Sequence, residues 1–121
     1  MDIIEAFEKL DTLEKDYLLE MANVNKQDTG LPYDLWIDSV GKDRNNKHNE
    51  PRIKVDVDNQ LIPIIIDKEN PDIPESVKKQ GIKTFKNINK IKDYVKKYYD
   101  VFIKHWNKEL TDRQALNLLD K

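Results

Sequence analysis

Residues Arg52–Ile66, RIKVDVDNQLIPIII, decide the fold class. Ile53, Val55 and Val57 alternate with Lys54 and Asp56, the period-two pattern of a half-buried strand. Asp58-Asn59 interrupts it, and both residue types tolerate the positive φ of a two-residue hairpin turn. Leu61 to Ile66 then resumes as a second strand. Pro63 has no N–H for a ladder, which assigns this strand to a sheet edge or a bulge. The run Ile64-Ile65-Ile66 predicts that both of its faces are at least partly covered.

Upstream, Leu31-Pro32 opens an extended segment, because the residue before proline is pushed out of the helical region. Tyr33 to Val40 (YDLWIDSV) reads as a strand with Leu35 and Ile37 on one face and Trp36 on the other. The polar link Gly41 to Pro51 is long for a hairpin loop. The first 22 residues read as helix: Ile3, Phe7, Leu10, Leu13, Tyr17, Met21 and Val24 recur at steps of three and four. Asn23 to Gly30 reads as the loop that ends it.

Downstream, Pro71, Pro74 and Gly81 punctuate a loop with one short helical turn around Glu75 to Gln80. Ile88, Ile91, Val95, Tyr98, Phe102 and Trp106 then mark one long amphipathic helix, with Asn87 as its cap. Thr111 and Gln114 have capping-box spacing and open a short last helix. The expected fold is therefore α+β, in the order αβββαα. A three-stranded antiparallel sheet carries N-terminal and C-terminal helices, all in a single domain spanning 1–121.

The net charge of −2 hides a segregated chain. Residues 1–41 hold 10 acids and 3 bases, residues 42–76 hold 8 and 6, and residues 77–121 hold 5 and 12. Lysine supplies 18 of the 21 bases, whereas phosphate and base recognition in nucleic acids favours arginine. The absence of cysteine excludes a disulfide framework, a thiolate zinc site and a cysteine nucleophile, and points to a reducing cytoplasm. No apolar run is long enough for a membrane span or a signal peptide.

No enzyme motif emerges. His105, late in the long helix, reads as a packing or capping residue. His48 with Glu50 and a carboxylate such as Asp43, Asp56 or Asp58 lacks any metal-ligand spacing, so neither metal nor cofactor is expected. The best site candidate is the segment of Lys42, Arg44, Lys47, His48, Arg52 and Lys54, which suits phosphate or a partner protein; the alternative is an ordinary solvated loop. Arg52 and Lys54, opposite Ile53 and Val55, are expected to face solvent. Glu5, Glu8 and Asp16 form a candidate acidic partner face on the first helix.

The run His48-Asn-Glu-Pro-Arg-Ile-Lys54, a hairpin, a linker and a helix closing at Trp106-Asn107 resemble the small bacterial domain of unknown function 4160 family. Its members typically show His-Asn-Pro-Pro-His-x-His at the strand start. His48, Asn49 and Pro51 agree; Glu50 replaces a proline, and Arg52 and Lys54 replace histidines, which removes any His-x-His role. The resemblance covers residues 35–107. It implies a compact α+β fold and a bacterial or mobile-element setting, at times near toxin–antitoxin-like loci.

These features point to a small cytoplasmic, non-enzymatic binding protein acting by protein–protein contact in a regulatory or inhibitory role, with a second copy of the chain as one conceivable partner. One alternative is nucleic-acid binding through Arg44, Lys47, Arg52, Lys54 and the lysine-rich helix. Another is a toxin-like ribonuclease using His48 with Arg52.

Overall fold

The computed structural model describes residues 21–43 and 50–119. Strands β1 (Met21–Val24), β2 (Leu35–Asp38), β3 (Arg52–Val57) and β4 (Gln60–Ile65) form one antiparallel sheet in that order. The helices are α1 (Lys26–Thr29), α2 (Glu75–Lys78), α3 (Ile88–Lys97), α4 (Tyr99–Trp106) and α5 (Asp112–Leu118). A 3₁₀ turn, Gly41–Asp43, follows β2.

The α+β class is as expected, but the sheet has four strands where three were expected. The extra strand is β1, whose Met21 and Val24 were assigned to the end of the first helix. Ala22 and Val24 lie opposite Ile37 and Leu35 in the register, so they share the face of those two side chains. That period-two burial overrides the three-residue step from Met21 to Val24. The side chain of Asn25 accepts the Gln27 N–H at 2.7 Å, and Gly30, at φ 79°, closes α1 before β2 begins. The rest of the expected N-terminal helix, residues 1–20, lies outside the described residues.

The hairpin read from the sequence is present. Val57 pairs with Gln60 across Asp58 and Asn59, at φ 49° and 72°. Among the described residues β4 is an edge strand, as is β1, and Pro63 sits opposite Lys54. A two-residue hairpin makes Val57 and Gln60 a hydrogen-bonded pair, so alternation leaves Pro63 in a non-bonded pair with its ring nitrogen facing the edge. Ile65, two residues on, donates its N–H away from β3 to the Asp72 carbonyl at 2.8 Å.

Leu35, Ile37, Ile53, Val55, Ile62 and Ile64 form the core face of the sheet and join Ile91, Val95 and Phe102 in one apolar cluster. Burying each such side chain is worth about 1.5–3 kcal/mol. Trp36 and Pro63, on the other face, are buried as well.

The single long helix expected over 88–106 is divided at Tyr98, where φ is −108° and ψ 25°. The Tyr98 ring lies against that of Tyr94, 4.7 Å between centroids. The hydrogen bonds Tyr98 N–H to Tyr94 and Phe102 N–H to Tyr98 cross the division, which keeps the apolar stripe on one side. Asn87 is the N-cap residue of α3, as expected, but sits at φ 66° and makes no side-chain cap bond. The Thr111–Gln114 capping box of α5 is complete. The Tyr94 hydroxyl donates to the Leu119 carbonyl, fastening α5 to α3. Gly41, at φ 56°, lies so near α4 that an added Cβ would stand 2.2 Å from the Trp106 carbonyl oxygen.

Candidate functional site

The connection from β4 to α3 is organised by Asp72. Its carboxylate accepts the Ile73 N–H at 2.8 Å and pairs with Lys78 Nζ at 2.6 Å and Lys92 Nζ at 3.3 Å. Burial pushes the Asp72 carboxyl up, but the hydrogen bonds from Lys78, the Ile73 N–H and Lys92 outweigh it and hold the group below the usual carboxylate range. The bond to Asp72 raises Lys78 above the ordinary lysine range. Glu75 stands 3.6 Å from the same ammonium.

Two lysines are thus paired internally, while Lys79, Lys83, Lys86 and Lys90 are exposed along the same stretch. Among the described residues, none of these four has an ionic partner. The backbone beneath them is anchored: the Tyr33 hydroxyl donates to the Lys86 carbonyl at 2.6 Å, and the Tyr33 ring meets Phe85 edge-on at 5.6 Å. At one end, Glu75, Lys78, Lys79, Gly81 and Lys83 line an open cleft of about 570 Å³. The surface therefore offers several exposed ammonium donors on an anchored backbone, chemistry suited to carboxylates and phosphoryl groups.

A second concavity, of about 300 Å³, carries the opposite sign. It is lined by Lys26, Pro32, Tyr33, Asp34, Asp56, Asp58 and Asn59. Asp34 accepts the Lys26 backbone N–H at 2.8 Å, and Asp56 accepts that of Asn59 at 3.2 Å. Burial is the largest influence on Asp56 and pushes its carboxyl above the usual range, against the opposing Asn59 N–H. Asp56 therefore holds its proton to higher pH in the folded chain than in the unfolded one. Stability falls as pH rises from the ordinary carboxylate value to the raised one, and the deficit persists above it. Asp56→Asn, which keeps an acceptor for Asn59, is expected to raise the urea midpoint at neutral pH and to lose that advantage below the ordinary carboxylate range. A neutral-pH midpoint at or below that of the parent chain would contradict this assignment.

The segment singled out in the sequence is brought together only in part. Lys42 is exposed in the 3₁₀ turn. Arg52 and Lys54 lie on β3, but neither is freely solvated as expected: both are half-buried. Arg52 pairs with Glu50, its side chain is 13% exposed, and its Nε is buried without a hydrogen-bond partner. The cause is the covered second face of the sheet, where neighbouring Trp36 and Asp56 are also buried. Arg44, Lys47 and His48 lie outside the described residues, as do Glu5, Glu8 and Asp16.

The carboxylates considered beside His48 go separate ways: Glu50 to Arg52, Asp43 to Lys108 at 3.6 Å, and Asp56 to the hairpin. Among the described residues, no group of three metal-ligating side chains converges. His105 is buried, with Nε2 2.7 Å from Asp112, whose other oxygen accepts the Ser39 hydroxyl at 2.7 Å. Asp112 stands between serine and histidine, so the imidazole is not placed to activate the hydroxyl. The cluster ties the end of β2 to α4 and α5.

The lysine run was visible in the sequence as charge; the role of Asp72 was not. The acidic concavity was missed because Asp34 and Asp56 meet only through pairing of β2 with β3, where the Asp56 N–H donates to the Asp34 carbonyl at 3.0 Å.

No helix among the described residues is long and apolar enough to cross a membrane. A scan against protein-family models, a search of curated proteins and a search of solved structures return no match.

Proposed function

We propose that this chain is a non-enzymatic binding protein of the reducing cytoplasm that docks an acidic protein partner on the surface formed by Lys79, Lys83, Lys86 and Lys90. One observation carries this reading: Asp72 engages Lys78 and Lys92, yet the four lysines between them in the chain stay exposed and unpaired among the described residues. Uncompensated charge of one sign on an anchored backbone steers an oppositely charged surface and fixes its orientation. In the bacterial or mobile-element setting implied by the resemblance through His48, Asn49 and Pro51, such docking serves regulation or inhibition.

The test is retention of a defined protein from the native host on the immobilised chain. We expect capture at low ionic strength, release as salt shortens the screening length, and loss of about tenfold or more in affinity in Lys83→Glu/Lys86→Glu/Lys90→Glu. Capture unchanged in the charge-reversed variant sinks the reading. Exposed lysines also favour a second reading, nucleic-acid binding, which predicts salt-steep retention on a polyanion column. Retention of a nucleic acid on the immobilised chain in preference to any protein replaces the first reading with the second.

A further inference from the structure

We propose that the cleft lined by Lys78, Lys79, Gly81 and Lys83 seats the phosphoryl group of a phosphorylated side chain on the acidic partner. The inference rests on the docking surface proposed above and names the chemistry it selects. Three ammonium groups border one concavity of about 570 Å³, with Glu75 the one acid in its wall. Glu75 stands 3.6 Å from Lys78 and is 81% exposed, so solvent screens much of its charge.

Lys78 is held in position by Asp72 at 2.6 Å and Glu75 at 3.6 Å. Of its three N–H donors only the one to Asp72 is within hydrogen-bond distance, so Lys78 still has donors to offer. Lys79 and Lys83 are exposed and, among the described residues, have no ionic partner. Gly81, at φ 106°, lines the cleft beside open space: a Cβ added there would meet nothing within 4 Å.

The donor set discriminates between oxyanions. An arginine fork would match a carboxylate and a phosphate alike, and the cleft contains none, so charge and oxygen count are left to distinguish them. Lysines act as separate point charges approaching from different directions. That arrangement suits a tetrahedral group with three acceptor oxygens and a charge of about −1.5 to −2. A carboxylate offers two oxygens and one charge to the same three ammonium groups.

The experiment uses the full chain and four probes at low ionic strength: an Asp/Glu-rich heptapeptide carrying one phosphoserine, the same peptide with glutamate at that position, a 5′-phosphorylated oligonucleotide and inorganic phosphate. Binding is followed by amide shifts of residues 79–83 and by calorimetry. We expect the phosphopeptide to bind at least about tenfold more tightly than the glutamate peptide. The preference should vanish in Lys79→Gln/Lys83→Gln and persist in Lys104→Gln, which removes an exposed lysine on α4.

Equal binding of the two peptides, still weakened by charge reversal at Lys83, Lys86 and Lys90, overturns the phosphoryl seat and leaves the docking surface standing. Failure of both peptides to bind the folded chain overturns both. Tighter binding of the oligonucleotide than of the phosphopeptide assigns the cleft to nucleic acid and overturns the protein source. Inorganic phosphate that shifts residues 79–83 no more than the rest of the chain counts against a seat of any kind.

Discussion

Gly41→Ala is expected to cost at least about 3 kcal/mol, a large part of the roughly 5–15 kcal/mol that holds a domain of this size. Two independent penalties combine. At φ 56° an L-residue in the left-handed region pays about 1–2 kcal/mol. The new methyl would also stand 2.2 Å from the Trp106 carbonyl oxygen, and a backbone oxygen near the end of a helix cannot swing aside as a side chain can. Relief requires the 3₁₀ turn to part from α4, which would strain the neighbouring Ser39–Asp112–His105 hydrogen bonds. Gly81→Ala is the control: φ is also positive, at 106°, but the space is open, so only the conformational cost of about 1–2 kcal/mol remains. Urea denaturation of the two variants separates close approach from backbone strain. Equal losses would contradict the packing assigned to Gly41.

Phe102→Ala is expected to lose about 3–5 kcal/mol. Phe102 is 1% exposed and is among the largest fully buried side chains of the core. Its ring meets that of Tyr94 edge-on at 6.1 Å, so truncation also weakens the contact spanning the division between α3 and α4. Phe102→Leu retains most of the volume and is expected to cost about 1–2 kcal/mol. The comparison is made by the change in urea midpoint at constant m-value. An alanine variant as stable as the leucine variant would show that the site collapses to fill the void.

Both positions illustrate how far sequence reading reaches. Phe102 was legible, since its place on a stripe at three- and four-residue steps is a property of the helix alone. The hairpin at Asp58-Asn59 and the edge position of Pro63 were legible for the same reason: turn geometry and the missing N–H are local. Gly41 was not legible in its role, because its neighbour, Trp106, is 65 residues away along the chain. β1 escaped because Met21 and Val24 satisfy a helical step, and only the partner strand at 35–38 reveals the alternation of Ala22 and Val24. The division at Tyr98 left no mark, as it changes neither the stripe nor its composition.

The candidate site follows the same rule. The exposed lysines were countable in advance, but which of them are neutralised depended on Asp72, six residues from Lys78 and across a turn from Lys92. Arg52 misled for a related reason. Alternation placed it correctly opposite Ile53, yet alternation does not say whether that opposite face is wet, and its 13% side-chain exposure shows that it is not.

The margin formed by β4 constrains how this molecule meets others. Of its outward positions Leu61, Pro63 and Ile65, Pro63 carries no donor and Ile65 has given its donor to Asp72, so an incoming strand finds little to zip onto there. That border is closed to growth by main-chain addition, which protects the hairpin from templating aggregates. Association on this side is left to side chains instead of main-chain pairing. Asp72 stands on both sides of this division of labour. Its carbonyl seals the border and its carboxylate grips Lys78 and Lys92, so peeling the border open would also disturb the charged groups beside it.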